Sequence, residues 1–347
     1  MSTSRALLFL AQAAGWLAGV RAYAQQPDTA STANAYALPP VTVSATRSTL
    51  PLAKVPLSVQ VVEGRQISGA RPTWGLDEAL TSVPGVYVAN RYNFSQDQRI
   101  SIRGFGSRSA FAVRGIKVLL DGIPQTLPDG QGQLTNVELG NVDRIEVLRG
   151  SASALFGNAA GGVISLWTDP VPPARATEDV RLVAGRFDRR TGRTWNKWQS
   201  TTGMRIGTGL AQIIASRLDY EGERDHSAAD LRNLNTRVAF PVARAWLLTG
   251  LLDVGDDPRA DNPGSLTRSE LLANRDTVPA LNLNRNAGKD VTQVQGGATL
   301  RRSLSDGGAL AFTVFGLTRD LKNPITTAYI EVARVDYGAR ATLSRPL

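Results

Sequence analysis

Ile102-Arg103-Gly104-Phe105-Gly106, then Val118-Leu119-Leu120-Asp121-Gly122-Ile123-Pro124, then Asp143-Arg144-Ile145-Glu146-Val147-Leu148-Arg149-Gly150 are the stretches that decide how this chain is read. Each is a short β-forming run that meets a glycine, and Gly115 marks one more break. The spacing predicts several short strands joined by tight turns or close backbone approaches. Working outward, Leu57–Val62, Val86–Ala89, Ile100–Ile102 and Val163–Trp167 are further strand candidates. Between them Thr73 is placed to cap a short helix through Ser82, with Asp77 and Glu78 in its first turn and Pro84-Gly85 to stop it. Ser151 is placed to cap a second helix over Ala152–Phe156. The region from Pro51 to about Asp169 therefore reads as a compact mixed α/β domain. Gly104-Phe105-Gly106 is no dinucleotide fingerprint, because the spacing after it and the ribose-binding acid are missing.

The start of the chain points to export. Arg5 precedes an apolar run from Ala6 to Val20, and Ala22-Tyr23-Ala24 has the small-x-small pattern of a cleavage site, so residues 1–24 read as a signal peptide. Gly15 and Gly19 interrupt a run that is already shorter than the roughly 20 residues a spanning helix needs. Beyond it no apolar run approaches spanning length, so membrane insertion would have to use strands. Residues 25–38 are small and polar with little to bury. Pro39-Pro40 then introduces Val41, Thr42, Val43, Ser44 and Ala45, a β-forming segment able to add itself to an exposed sheet edge. The absence of cysteine removes disulfides, thiol nucleophiles and Cys-ligated metals. The net charge of +9, which includes the signal peptide, comes from scattered arginines and lysines. Nucleic-acid binding wants a concentrated basic stripe with stacking residues, and this pattern argues against it.

After Pro172-Pro173 the character changes. Arg334, Asp336, Arg340, Thr342 and Ser344 alternate with Val335, Tyr337, Ala339, Ala341 and Leu343, as a tilted transmembrane strand between lipid and a wet lumen would. Val294, Ala298 and Leu300 alternate in the same way with Gln293, Gln295, Thr299 and Arg301. Ile214, Ser216, Leu218 and Tyr220 against Arg217, Asp219 and Glu221 read likewise, with the charged set toward the lumen. Arg217, Arg301, Arg334 and Arg340 are the expected lumen-facing charges.

The motifs at 102–106, 118–124 and 143–150, closed by Gly-Ser-Ala-Ser-Ala-Leu-Phe-Gly-Asn-Ala-Ala-Gly-Gly-Val-Ile at 150–164, resemble in this order the plug domain of TonB-dependent outer-membrane receptors. The stretch from Ile102 through Gln133 is most similar to the ferric-dicitrate and siderophore receptor branch. The resemblance implies a mixed α/β plug domain followed by an incomplete antiparallel transmembrane β-barrel. It divides the chain into a signal peptide (1–24), a flexible periplasmic segment with a TonB-box-like strand (25–50), a plug (51–170) and the N-terminal part of a barrel (171–347). About 175 residues after Asp169 suffice for roughly eight to ten strands, whereas such receptors close with about 22. The chain is therefore expected to be an N-terminal part of a receptor.

Under the same resemblance the protein sits in the outer membrane of a Gram-negative bacterium and takes up a ferric chelate, ferric citrate or a siderophore. Val41 to Ala45 would meet a TonB-like energy-coupling partner in the periplasm. Outer-membrane lipid would surround the barrel, and no nucleic acid is involved. Arg91 and Arg108 would hold anionic groups of the ligand, Gln96 and Gln131 would orient it, and Tyr92 would pack on it. Arg103, Glu146 and Arg149 resemble the network that fastens plug to barrel, and serve equally well as local stabilisers of the plug. Iron would arrive chelated, so no resident cofactor is implied. The alternatives are a non-transport binding or signalling module and uptake of another anionic nutrient.

No catalytic assembly stands out. His226, the single histidine, lies in the charged stretch Gly222–Ser227 and reads as a loop residue. Asp253, Asp256, Asp257 and Asp261 lack the ordered oxygen-ligand spacing of a calcium loop. Serines occur without a nucleophile-elbow context, so an enzyme is not expected.

Overall fold

The computed structural model describes residues 42–44, 50–89, 92–109, 112–132, 134, 136–168, 175–187 and 192–345. The expected signal peptide, Val41, Ala45 and Arg91 lie outside the described residues. In the first half the strands are β1 (Thr42–Val43), β2 (Leu50–Pro51), β3 (Val59–Glu63), β4 (Val86–Ala89), β5 (Arg99–Ile102), β6 (Val113–Arg114), β7 (Ile116–Leu120), β8 (Ile123–Pro124), β9 (Gln131–Gly132), β10 (Val142–Arg149) and β11 (Gly162–Thr168). Five of them form one sheet in the order β3-β10-β11-β7-β8, antiparallel except for the β11–β7 pair.

Alternation along β7, β10 and β11 sends side chains to two different cores. Val118, Leu120, Val147, Ile164 and Leu166 join Ile67, Leu80 and Ile102 on one face, while Leu119, Leu148 and Val163 pack with Phe156 and Ala159 on the other. Both faces are covered, which explains why these strands read as nearly continuous apolar runs. The glycines of the opening motif serve close approach. Gly106 has φ +87°, and a Cβ there would sit 2.4 Å from the Ile100 carbonyl oxygen.

Both expected helix caps are displaced. The first helix covers Leu76–Leu80 and starts from Gly75 without a side-chain cap. Thr73 has φ +58°, and the Glu78 carboxylate reaches back to accept from the Thr73 and Trp74 backbone N–H groups at 2.9 and 2.6 Å. The carboxylate thus replaces the hydroxyl as the group that satisfies the backbone before the helix. The second helix, Ser153–Phe156, starts from Ala152, whose N–H donates to the Ala159 carbonyl.

The second half is a wall of eight antiparallel strands, each hydrogen-bonded to its sequence neighbour: β12 (Ala176–Arg186), β13 (Thr194–Ile206), β14 (Gly209–Tyr220), β15 (Ala229–Ala243), β16 (Trp246–Asp261), β17 (Gly288–Ser303), β18 (Ala309–Pro324) and β19 (Tyr329–Ser344). The sheet is open, with β12 and β19 at its two edges. The last four strands run to 16 residues each, beyond the ~9–11 that a tilted strand needs to cross a bilayer. The outer face carries Leu182, Leu252, Val314, Val335 and Tyr337, all exposed, as a lipid-facing band requires. No helix among the described residues is long and apolar enough to cross a membrane.

The alternation expected for β17 and β19 holds: Gln293 and Gln295 are buried against the first domain, and Tyr337 is 85% exposed. On β14 it is reversed. Ile214, Ser216, Leu218 and Tyr220 are buried toward the interior, and Arg217 points outward to Asp230 at 2.8 Å. Arg217 lies near the rim of the wall, three residues before β14 ends, where the outer face can carry a charge paired with Asp230 while the inner face is filled by the plug. It is therefore no lumen charge.

Candidate functional site: the seam between the first domain and the wall

The two ends of the wall differ. Gly207–Thr208 and Arg244–Ala245 are two-residue turns at one end, whereas residues 221–228 and 262–287 make long connections at the other. Outer-membrane barrels put short turns on the periplasmic side and long loops outside.

Between these ends the first domain meets the wall through polar groups. Asn136, fully buried, donates from Nδ2 to Gln295 Oε1 (3.1 Å), accepts from Gln293 Nε2 at Oδ1 (2.6 Å), and receives Asn235 Nδ2 at its carbonyl (3.0 Å). Gln295 also donates to the Pro124 carbonyl at 2.7 Å, and Asn141 donates to Gln212 at 3.2 Å. Three ion pairs add to these amides. Lys197 reaches Glu138 at 2.7 Å, Lys289 reaches Asp97 at 3.1 Å with Arg319 at 3.9 Å from the same carboxylate, and Arg237 bridges Asp121 at 2.7 Å to the fully buried Asp253. Burial works to lift the Asp97 carboxyl, but Lys289 and Arg319 outweigh it and hold the group below its ordinary value. Glu138 behaves likewise: burial raises it, and Lys197, Ser216 and the Gly140 N–H together bring it lower.

At the long-loop end the Trp74 ring meets Trp195 and Tyr220 edge-on at 4.6 and 5.5 Å, and Tyr92 and Phe94 at 6.0 and 6.4 Å. Two of these rings belong to the wall, so the connection after β4 is anchored by packing as well as by charge. Tyr92 is 53% exposed beside this cluster. Gln96 donates its backbone N–H to the Asn93 carbonyl and borders a cleft with Trp74, Asp97 and Lys289. Arg108 is exposed just after the Gly106 turn. Gln131 sits on the separate β6–β9 pair opposite Arg114, its N–H held by Asp129. Tyr92 and Gln96 thus share one neighbourhood, while Arg108 stands on the loop after Gly106 and Gln131 on β9.

Arg103, Glu146 and Arg149 make bonds that close inside the first domain. Arg103 donates to Ser58 Oγ at 3.5 Å and through its N–H to the Gly85 carbonyl, and Arg149 donates to the Pro84 carbonyl at 2.9 Å. Glu146 pairs with Arg144 at 3.0 Å and accepts the Ser44 N–H at 2.8 Å. The seam itself rests on Asp97, Asp121, Asn136 and Glu138 facing Lys197, Arg237, Lys289 and Gln293. None of these was singled out from the sequence for that purpose, and only the even alternation around Gln293 and Gln295 hinted at them. Val43 is fully buried, and Thr42 and Val43 pair with Pro51 and Leu50, so the described part of the N-terminal segment is docked.

His226 lies in the loop 221–228 and its Nε2 bonds the Ala287 carbonyl at 2.7 Å, tying two long connections together. Among the described residues no group of His, Asp and Glu could hold a metal ion.

Residues 51–163 match the TonB-dependent Receptor Plug Domain family. The chain carries a TonB-dependent receptor plug. The strands behind it match barrels of the same architecture: the unliganded ferric citrate transporter FecA superposes with a TM-score of 0.64 at 20% identity, over 82% of this chain and 42% of that one. The vitamin B12 transporter BtuB of Vibrio vulnificus is 29% identical over 276 residues, covering 72% of this chain and 44% of the transporter. The ferrioxamine B receptor of Salmonella typhimurium is 30% identical over 156 residues, covering 44% of this chain and 21% of the receptor. The chain spans less than half the length of these relatives. The mixed α/β domain is thus a plug, and the wall behind it resembles the strands of a TonB-dependent receptor barrel.

Proposed function

We propose that the receptor to which this plug and wall belong takes up an anionic ferric chelate, ferric citrate or a carboxylate-bearing siderophore, across the outer membrane of a Gram-negative bacterium. Thr42 to Ser44 is the point at which energy enters, through a TonB-like partner in the periplasm that draws on residues 41–45. The observation that carries this reading is the docking of Ser44 on Glu146. β10 lies inside the plug sheet, so a pull on Ser44 acts on a strand that both neighbours grip. Away from the aromatic cluster at its long-loop end, the seam that the pull must loosen is made of hydrogen bonds and ion pairs, which water can replace one at a time.

On the outer side Arg91 and Arg108 are the proposed carboxylate donors, with Gln96 and Gln131 orienting the ligand and Tyr92 packing on it. A guanidinium fork suits a carboxylate because two parallel N–H groups meet two oxygens. Iron is cargo in this scheme, and its chelator supplies the ligands. The relatives named for ferrioxamine, ferric enterobactin and ferric citrate support the ferric class. The vitamin B12 transporter among them supports a second reading, uptake of a different nutrient by the same device.

The test is uptake of radiolabelled ferric citrate by cells making the receptor with and without residues 41–45. The expected result is surface binding in both and accumulation only with the segment present. Equal accumulation would defeat the mechanism, and accumulation of cobalamin alone would favour the second reading.

A further inference from the structure

At the short-turn end, between the plug and strands β15 to β19, lies a cavity of about 480 Å3, within the range of small-molecule sites. Its room comes from residues without bulk, among them Gly122 on the plug and Gly250, Gly297 and Ala311 on the wall. A Cβ at Gly297 would come within 2.8 Å of Ile123 Cδ1 from the plug, so a larger residue there requires that side chain to move.

The charge lining this space is one-sided. Three arginines, Arg237, Arg301 and Arg340, border it against one carboxylate, Asp121. That carboxylate is already saturated: it accepts the Thr168 N–H and hydroxyl at 3.0 Å each and Arg237 Nε at 2.7 Å. Arg237 is equally engaged, since its other nitrogens go to Asp253. Arg340 gives one Nη2 bond to the Gly122 carbonyl at 3.0 Å. Arg301 makes no bond to another described residue, and the Trp167 Nε1–H, on the same lining, is buried without an acceptor. The cavity is therefore bordered by two guanidinium groups with donors to spare, Arg340 having one of its own engaged, and by an indole N–H without an acceptor.

We infer that this cavity is a second anion site, a station for a carboxylate-bearing ligand passing between plug and wall, with Arg301, Arg340 and the Trp167 N–H as its donors. It deepens the ferric-chelate reading and rests on it for the identity of the ligand, while the preference for anions rests on the lining alone. Arg340, half-buried and held by the Gly122 carbonyl, acts more strongly on an anion than it would in bulk solvent, while Arg301 is exposed and adds a mobile positive charge beside it. Ser44 is part of the same lining. Drawing the N-terminal segment off Glu146 removes one side of the cavity, so the step that delivers energy also opens the station toward the short-turn end.

The chain has no cysteine, so Thr249→Cys places a single thiol on the cavity wall. Outer-membrane fractions holding that receptor are treated with thiosulfonate reagents of matched size, one carrying a sulfonate and one a quaternary ammonium. The expected anionic-to-cationic rate ratio is roughly tenfold above that of an exposed reference thiol. It should fall to the reference value when Arg301→Ala and Arg340→Ala are added, and return with Arg301→Lys and Arg340→Lys. Should the double alanine variant fail to insert, Arg301→Gln alone should still lower the ratio. A ratio at the reference value in the starting receptor, or one that ignores these changes, overturns the site. Trisodium citrate should slow the anionic reagent. Anion preference that persists in a receptor accumulating no ferric chelate upholds the site and removes the ferric reading, while ferric uptake with no anion preference does the reverse.

Discussion

The plug is held together by apolar contacts and held in place mostly by polar ones, the aromatic cluster around Trp74 being the exception. Inside it, Ile102, Val118, Ile145, Val147, Ile164 and Leu166 are all but inaccessible to solvent and pack without a polar atom between them. Against the wall, equally buried positions carry Asn136, Gln293, Gln295, Arg237 and Asp253. Apolar packing is non-directional and is lost only when surfaces separate altogether, so it keeps the plug one body. Hydrogen-bonded amides and ion pairs contribute little net free energy when made, because water offers the same bonds to the separated partners. Under the proposed uptake, a domain that stays folded while it changes its hold on the wall needs this division.

The sharpest way to break the comparison is to leave a charge without its partner in the seam. Arg237→Ala strands the fully buried Asp253 and frees Asp121, and the expected cost is about 3–5 kcal/mol of plug docking. The readout is the urea concentration at which protease first cuts the plug. Next in size, Leu166→Ala in the plug core should cost about 2–5 kcal/mol through a cavity that cannot collapse. The two variants should differ in kind. Arg237→Ala exposes cleavage sites along the seam with the plug sheet still protected, whereas Leu166→Ala exposes sites within the sheet. Identical digestion patterns would mean that core and seam are a single cooperative unit.

Acid should loosen the seam selectively. Asp97 and Glu138 are held below their ordinary values when docked, so their contribution is complete above the free carboxylate range of about 4 and declines as pH falls through and below it. The urea midpoint for plug release should fall as the pH is taken below about 4. Asp97→Asn should lower the midpoint and flatten that fall. A midpoint that rises as the pH drops below about 4 would reverse the sign and remove these pairs from the account. The smallest effect belongs to Arg334→Ala, which removes a half-exposed pair with Asp129 at 3.4 Å and should change the same midpoint by about 0–1 kcal/mol.

Much of the fold was legible because it rests on local rules. Gly104 and Gly106 have φ +86° and +87°, Gly122 has +81°, and a chain that turns at those places must put glycine there. The alternation of β19 was readable because one of its faces is exposed and the other turned inward along the whole strand. On β14 the same rule failed at the rim, where Arg217 finds Asp230 and Arg232 lies beside it, and the apolar residues turn inward to meet Trp74. The seam was barely legible, through the inward alternation of Gln293 and Gln295 alone. Asp121 and Arg237 are 116 positions apart and Asn136 and Gln293 are 157 apart, and nothing in local pattern links such pairs. The charges that did attract notice, Arg103 and Arg149, drew it by their place in motifs, and their bonds shape plug turns.

Asn136 has one further consequence, for how the molecule is put together. Its side chain is met from both sides by Gln293 and Gln295, next-but-one neighbours on β17, and its carbonyl by Asn235 on β15. If β17 inserted one residue out of step, both glutamines would face lipid and Asn136 would meet Val294 instead. If β15 slipped, the Asn235 donor would vanish in the same way. A single buried amide thus inspects the alignment of two strands before the plug can seat, and a misassembled wall would be recognised by its failure to accept the plug.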